Sequence, residues 1–254
     1  MTSSFHVAIP ARHGSTRFPG KALAPIHGKP MLQWVYERAR ASGASDVLIA
    51  TDDAAIATAA AGFGAVARMT SAAHASGTDR LAELAALERW PEADIVVNVQ
   101  GDEPLIPPAI IRQVATLLDS DREAAIATLA TPVESLAEFL DPNAVKVVAD
   151  SKGRALYFSR APVPWNRDGA AAGLSSQRVF AGARRHIGIY AYRVAALRRL
   201  ASLAPTALET SEKLEQLRAL DNGLVIRVAD AVERPGPDVN TAEDLQRVVG
   251  LMTR

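Results

Sequence analysis

The chain has 254 residues, 48% hydrophobic and 22% charged, which is enough apolar material for one large α/β domain or a domain with an appended lobe. Lys and Arg together number 28, as do Asp and Glu, and a formal net charge of zero argues against a general nucleic-acid binder, which shows a basic excess. The absence of cysteine excludes disulfides, thiolate metal sites and cysteine nucleophiles.

The apolar run FHVAI (5–9) predicts a first strand, and PMLQWVYERARASG (30–43) a helix with Pro30 in its first turn and Gly43 at its end. Between them lies the loop PARHGSTRFPGKAL (10–23), with Arg12, Arg17 and Lys21 among Gly, Ser and Pro. The first acidic residue of the chain is Glu37, so these cations have no local partners. Gly14, Ser15 and Gly20 allow close approach of a ligand to backbone N–H groups, and the three cations suit phosphoryl oxygens. The loop lacks the spacing of a P-loop or of a dinucleotide fingerprint. The plain alternative is a solvated basic turn, but open α/β sheets bind ligands at such strand-to-helix loops.

Strand DVLIAT (46–51), helix DDAAIATAAAGFG (52–64, capped by Asp52 or Asp53) and the short strand AVARM (65–69) follow. SGTDRLAELAALERW (76–90) predicts a further helix. Its opening SGTDR reads equally as a Ser/Thr cap, with Asp79 near the positive end of the dipole, or as a Gly-lightened backbone with hydroxyls around a ribose or pyrimidine. DIVVNVQ (94–100) is apolar enough for a strand buried on both faces. It runs into VNVQGDEP (97–104), where Asp102 stands at a strand's carboxyl end, suited to Mg²⁺, and Gln100 can reach a base or phosphate. Glu103 is either a second ligand or the first turn of the next helix, and GDEP alone is also compatible with a cap. Helix PPAIIRQVATLLDS (107–120) and strand AAIATLATP (124–132) complete an alternation that predicts βαβ units and a mainly parallel central sheet flanked by helices.

From 132 to 192 short strands dominate: AVKVVAD and RALYFSR form an expected hairpin, and HIGIYAY a further strand. The intervening loop 164–183 is long and Gly/Ala/Ser-rich, as a lid or interface segment would be. Helices VAALRRLASL and SEKLEQLRALDNG, strand LVIRVAD and helix TAEDLQRVVGLMTR close the chain, the last two returning to the first sheet. The expected organisation is one domain, 1–254, with an interleaved, smaller, β-rich lobe at 132–192. Arg160 ends a hairpin strand, His186 and Tyr190 lie on the later strand, and Glu215 and Gln216 fall on a helix, where an ordinary polar face is the plainer reading. The chain enters its first strand almost at once and no apolar stretch approaches the ~20 residues of a membrane span, so a cytoplasmic protein without signal peptide or membrane contact is expected.

Taken together, PARHGSTRFPGK, TDD, SGTDRLAE, VNVQGDEP, PNAVKVV, ALYFSRAPVPW, RHIGIYAYR, LEQLRAL and VNTAEDLQRV resemble the 3-deoxy-manno-octulosonate (Kdo) cytidylyltransferases across nearly the whole chain. CMP-sialic acid synthetases share a similar basic loop but differ in the sugar-site motifs. The resemblance implies a Rossmann-like nucleotidyltransferase fold and the reaction of CTP with Kdo to CMP-Kdo and pyrophosphate. It also implies Mg²⁺ and a cytoplasmic homodimer feeding lipopolysaccharide synthesis, with the 132–192 lobe supplying sugar-site and dimer contacts.

Carried onto matching positions, Arg12, Ser15, Arg17 and Lys21 hold the CTP phosphates, with Lys21, Asp102 and Arg17 the catalytic set. Gly77, Thr78, Arg80 and Gln100 surround the nucleotide, and Asp102 ligates the metal. Arg160, His186, Tyr190, Glu215 and Gln216 line the sugar pocket, with Arg160 the expected partner of the sugar carboxylate. One departure stands out. Where the family has V-D-T, this chain has Val239-Asn240-Thr241, so the second metal ligand is Asn240 or the nearby Asp238. Two rivals remain: a non-catalytic CTP-sensing module, and a transferase for another keto-acid sugar such as sialic acid or an 8-amino Kdo analogue. The central expectation is that Lys21 and Asp102 stand side by side above neighbouring strands.

Overall fold

The structure is a computed structural model that describes residues 4–12, 14, 18–74, 76–170, 172–173 and 176–252. Strand β1 (Phe5–Ala11) leads through the basic loop to a 3-10 turn at Lys21–Leu23 and to the two-residue strands β2 (Pro25–Ile26) and β3 (Lys29–Pro30). Then come α1 (Met31–Ala41), β4 (Asp46–Thr51), α2 (Ala54–Gly62), β5 (Val66–Met69), α3 (Gly77–Leu87), β6 (Ile95–Asn98), α4 (Pro108–Asp119) and β7 (Ile126–Pro132). The second half holds α5 (Leu136–Leu140), β8 (Lys146–Ala149), β9 (Ala155–Ser159), β10 (Arg184–Arg193), α6 (Val194–Ser202), α7 (Ala207–Glu212), α8 (Gln216–Asp221), β11 (Ile226–Asp230) and α9 (Ala242–Leu251).

The main sheet runs β11-β7-β10-β6-β1-β4-β5, with the β8–β9 hairpin attached to β10. Strands β1, β4, β5 and β6 pair in parallel, as do β7 and β11. Strand β10 is antiparallel to both its neighbours, β6 and β7. The mainly parallel sheet expected from the sequence is therefore present. The stretch 132–192 does not stand apart from it, because β10 is a central strand of the sheet.

The near-continuous apolar strands reflect burial on both faces, with successive side chains alternating between them. Val7, Ile9, Ile49 and Val97 pack with Leu32 and Val35 of α1 and Ile110 and Val114 of α4. Ala8, Leu48, Val96 and Tyr192 pack on the opposite face with Leu81 and Leu84 of α3 and Leu197 of α6.

Several local signals resolve at atomic detail. Asp53, not Asp52, caps α2, its carboxylate accepting from Ile56 N at 2.9 Å. Pro30 sits one residue before α1 rather than in its first turn, and the leading N–H of the helix, at Met31, donates to Ala24 O at 2.8 Å. The predicted helix 211–223 is two short helices. Lys213 takes a left-handed conformation (φ 55°) after α7. The break is held because Arg218 of α8 folds back onto Glu209 of α7, with Nη2–Oε1 at 2.5 Å and Nε–Oε2 at 2.8 Å. A bidentate pair of this kind outweighs the helical propensity of the intervening Glu, Lys and Leu.

The β8–β9 hairpin is pinned at both ends. Lys146 is fully buried, and its ammonium donates to the carbonyls of Asp141 (2.8 Å) and Arg160 (2.9 Å). At the turn, Gly153 has φ 75° and its carbonyl accepts from Val228 N of β11 at 2.8 Å. A Cβ there would lie 2.9 Å from Val228 O, so only glycine fits both the backbone conformation and the approach. Gly153→Ala is expected to destabilise the protein by about 2–3 kcal/mol. Urea unfolding checks this, and an unchanged midpoint would show that the turn does not seat on β11.

Candidate active site

Parallel pairing of β1 with β6, from Phe5↔Ile95 to Ala8↔Asn98, brings the loops that leave their carboxyl ends to the same edge of the sheet. Gly101 lets the second loop close on the first, since a Cβ there would meet Pro10 O at 3.0 Å. Between these loops and the start of α3 lies a cleft of about 300 Å³. Arg12 and Lys21 of the basic loop, Gly77 and Arg80 of α3, and Gln100, Asp102 and Asn240 all line it. Ser15 and Arg17 lie outside the described residues.

Lys21 and Asp102 meet directly as an ion pair, the Lys21 ammonium donating to Asp102 Oδ2. The same ammonium donates to Val239 O at 3.0 Å, and Val239 N donates to Asp102 O at 2.9 Å. Three segments far apart in sequence are thus tied at one point. Asn240 lines the cleft, whereas the exposed Asp238 does not; it lies behind Asn240, whose amide NH₂ donates to it. Burial, reinforced by the carboxylates of Asp102 and Asp238, pushes Glu103 up to about 8. Glu103 lies before α4 rather than in the helix itself.

Among the described residues no three His, Cys, Asp or Glu side chains converge as a metal cage. One wall carboxylate plus one amide is instead the sparse oxygen set that suits Mg²⁺, which takes its remaining ligands from water and phosphate.

The cap reading of SGTDR holds, and Gly77 and Arg80 also reach the cleft. Ser76 and Asp79 form a capping box on α3, and Gly77 faces the cleft. Arg80 lines the cleft but is 97% buried, its guanidinium donating to Asp52 at 2.7 Å and Thr70 at 2.5 Å. With Asp53 serving as the cap, Asp52 is free for this pairing. His74, which sequence reasoning did not single out, also lines the cleft and is held by Glu83 at 2.5 Å. Burial raises the Glu83 carboxyl, but Ser71 N–H and His74 outweigh it and keep the group below its ordinary range.

A smaller cavity of about 100 Å³ adjoins the cleft, with Gln100 common to both walls. Thr78, Asn98, Tyr190, Tyr192, Glu215 and Gln216 line it. Thr78, expected at the nucleotide, is thus on this side, and its hydroxyl donates to Glu215 Oε2 at 2.7 Å. Burial raises the phenols of Tyr190 and Tyr192 far above neutrality, so both stay protonated. Glu215 precedes α8 instead of lying within a long helix.

Two expected sugar contacts are absent from this wall. His186 stands behind Tyr190, ring centroids 5.1 Å apart. Thr128 Oγ1 donates to Ile189 O at 2.6 Å, so it accepts from His186 Nε2 at 2.9 Å, which fixes the tautomer. Burial, and then the charge of Arg185, lowers His186 to about 3 and keeps it neutral. Arg160 is engaged elsewhere, Nε donating to Glu212 O at 2.7 Å and Nη1 to Pro142 O at 2.9 Å. No described residue of loop 164–183 lines either cavity. Gln177 is fully buried inside that loop and accepts from Arg178 N and Val179 N.

Comparison with known proteins gives a consistent result. Residues 7–228 match the Cytidylyltransferase family model. A 3-deoxy-manno-octulosonate cytidylyltransferase of Pseudomonas fluorescens is 55% identical over 252 residues, 99% of each chain. One of Thioalkalivibrio sulfidiphilus is 53% identical over 250 residues, 98% of this chain and 99% of the relative. A solved structure of CMP:2-keto-3-deoxy-manno-octonic acid synthetase complexed with CTP is similar at TM-score 0.88 and 41% identity, covering 98% of both chains. A cleft edged by Lys21 and Asp102 above neighbouring parallel strands, full-length likeness at more than half identity and a matching fold lead to one assignment: the chain belongs to the 3-deoxy-manno-octulosonate cytidylyltransferase family.

Proposed function

We propose that this protein transfers CMP from CTP to Kdo, releasing pyrophosphate. The observation that carries the reading is the Lys21–Asp102 pair on the wall of a cleft that shares Gln100 with a polar second cavity. A triphosphate in the larger space and an acidic sugar in the smaller would meet beside Gln100.

The reaction joins two anions, so cations must offset their repulsion. Arg12 and Lys21 face the phosphates, with Ser15 and Arg17 of the same loop assigned to them from the family pattern. These residues hold the triphosphate so that the anomeric oxygen of Kdo approaches the α-phosphorus in line with the departing oxygen. The new P–O bond forms as the bond to the β-phosphoryl oxygen breaks, pyrophosphate takes the electron pair, and the hydroxyl proton passes to solvent. The Lys21 ammonium stabilises charge on the phosphoryl oxygens. Mg²⁺, held by Asp102 with Asn240 as the second protein ligand, would supply Lewis-acid neutralisation of the phosphates and lower the pKa of the attacking hydroxyl.

On the sugar side, Tyr190, Glu215 and Gln216 form the wall, and Thr78 orients Glu215. His186 and Arg160 act at one remove. The neutral His186 backs Tyr190, and Arg160 anchors the end of α7 through Glu212. The reading extends to a cytoplasmic homodimer that supplies lipopolysaccharide synthesis. The exposed Leu156 and Trp165 provide apolar surface for a second copy.

Pyrophosphate release measured across the four nucleoside triphosphates and a panel of acidic sugars tests the proposal. Release should require CTP and Kdo, and none from that pair would refute it. Asp102→Asn is expected to lower kcat by about 10²–10³-fold with the thermal midpoint retained. Lys21→Ala should lower kcat at least as far while costing only about 1–2 kcal/mol of stability. Comparable losses in the two would make Lys21 structural.

A further expectation concerns pH. The folded His186 value of about 3 lies below the ordinary value of 6.5, so between these two pH values the unfolded chain binds a proton that the folded one refuses. This contribution to stability is present above pH 6.5 and is lost as pH falls toward 3, by up to about 1.4 kcal/mol per unit. His186→Gln should flatten that slope, as urea unfolding at pH 7 and pH 5 would reveal.

A further inference from the structure

Strand β6 ends in Asn98, a polar residue in an otherwise apolar run, only 4% exposed. It pairs across the sheet with Tyr190 of β10, and both side chains line the smaller cavity. Gln100 lies two residues further along the chain and lines the same cavity. Asn98 Oδ1 is buried with no hydrogen-bond partner. The same is true of Tyr190 OH and Glu215 Oε1, from two other elements of the same wall. A buried polar atom left unpaired is costly, so three of them on residues that line one cavity call for an occupant that satisfies them. An amide oxygen can only accept, a carboxylate oxygen accepts, and a phenol does either. The wall therefore calls for a ligand rich in donors. The cavity, at about 100 Å³, is several times larger than one water requires and can admit a hydroxylated arm.

We infer that Asn98 is a substrate-binding residue of the sugar site, its Oδ1 accepting a hydrogen bond from a hydroxyl of the acceptor sugar. The inference rests on the proposed transfer to Kdo. It adds a residue from the floor of the sheet to the Tyr190, Glu215 and Gln216 wall, and it makes the site selective for a polyol rather than a bare keto acid. A site built to bond a hydroxyl strongly rejects the analogue that lacks it, because its own buried acceptor then stays unpaired.

The test compares the unaltered protein with Asn98→Ser, whose shorter side chain withdraws the acceptor from the cavity. Pyrophosphate release should show kcat/KM for Kdo lowered by about 10–100-fold, with KM for CTP unchanged within twofold. A Kdo analogue lacking the bonded hydroxyl should be discriminated against by the unaltered protein and much less so by the variant. A second measurement needs no substitution. With CDP present, the side-chain amide resonance of selectively labelled Asn98 should shift when Kdo is added and stay in place with CDP alone. A variant with unchanged kcat/KM for Kdo, or a resonance that does not move, overturns the inference while leaving the transfer activity standing. Failure of the unaltered protein to release pyrophosphate from CTP and Kdo overturns the activity and the inference with it, and is seen before any variant is made.

Discussion

The contact on which the site depends is the Lys21 ammonium, held between the Asp102 carboxylate and the Val239 carbonyl. It closes the basic loop after β1, the acidic loop after β6 and the segment before α9 onto one another. An ammonium with three donors suits this task, since it can satisfy a carboxylate and a carbonyl and still present charge to a cleft. In the proposed reaction the same atoms would face the triphosphate, so that reading and the fold place the same demand on Lys21: it must be aimed at the edge of the sheet.

The neighbouring cavity depends on a different constraint, the insertion of antiparallel β10 between β6 and β7. This strand carries Tyr190 and Tyr192 across from the end of β6, against Asn98, and so sets the second space beside the first. From the other side, the Arg218–Glu209 pair holds α8 against α7 and fixes where Glu215 stands. Thr78 links the two sides, because it belongs to the first turn of α3 and bonds Glu215. Gln100 is the shared boundary, so the two spaces are built as one unit.

Much of this was legible in the residues. Apolar runs of strand length, alternating with amphipathic segments, revealed the parallel sheet. Cations in a Gly/Ser-rich loop with no acid before Glu37, and Asp102 at a strand end, read as neighbours at one edge of the sheet, and Lys21 and Asp102 do meet there. What was hidden depends on long-range pairing. Periodicity does not say that β10 belongs in the middle of the sheet, nor that Arg218 breaks a good helix by reaching Glu209. Nor could it show that Arg160 is spent on the carbonyls of Glu212 and Pro142, or that Thr78 turns toward Glu215. Asn98 did carry a signal: an amide inside a strand apolar enough for burial on both faces, two residues before Gln100.

The place of β10 also shapes how the chain comes to be folded. Strands β6 and β7 follow one another in sequence, yet neither bonds to the other, and both wait for a strand that begins at Arg184. During synthesis the first half emerges as two blocks whose apolar inner edges stay unpaired until residue 193 has left the ribosome. Pairings that distant carry a high loop-closure entropy and slow folding, and unpaired edges invite association with other chains. The strand that sets the two cavities side by side is thus a late pairing of the nascent chain, and the edge of β7 facing β11 and the junction at Val239 close later still.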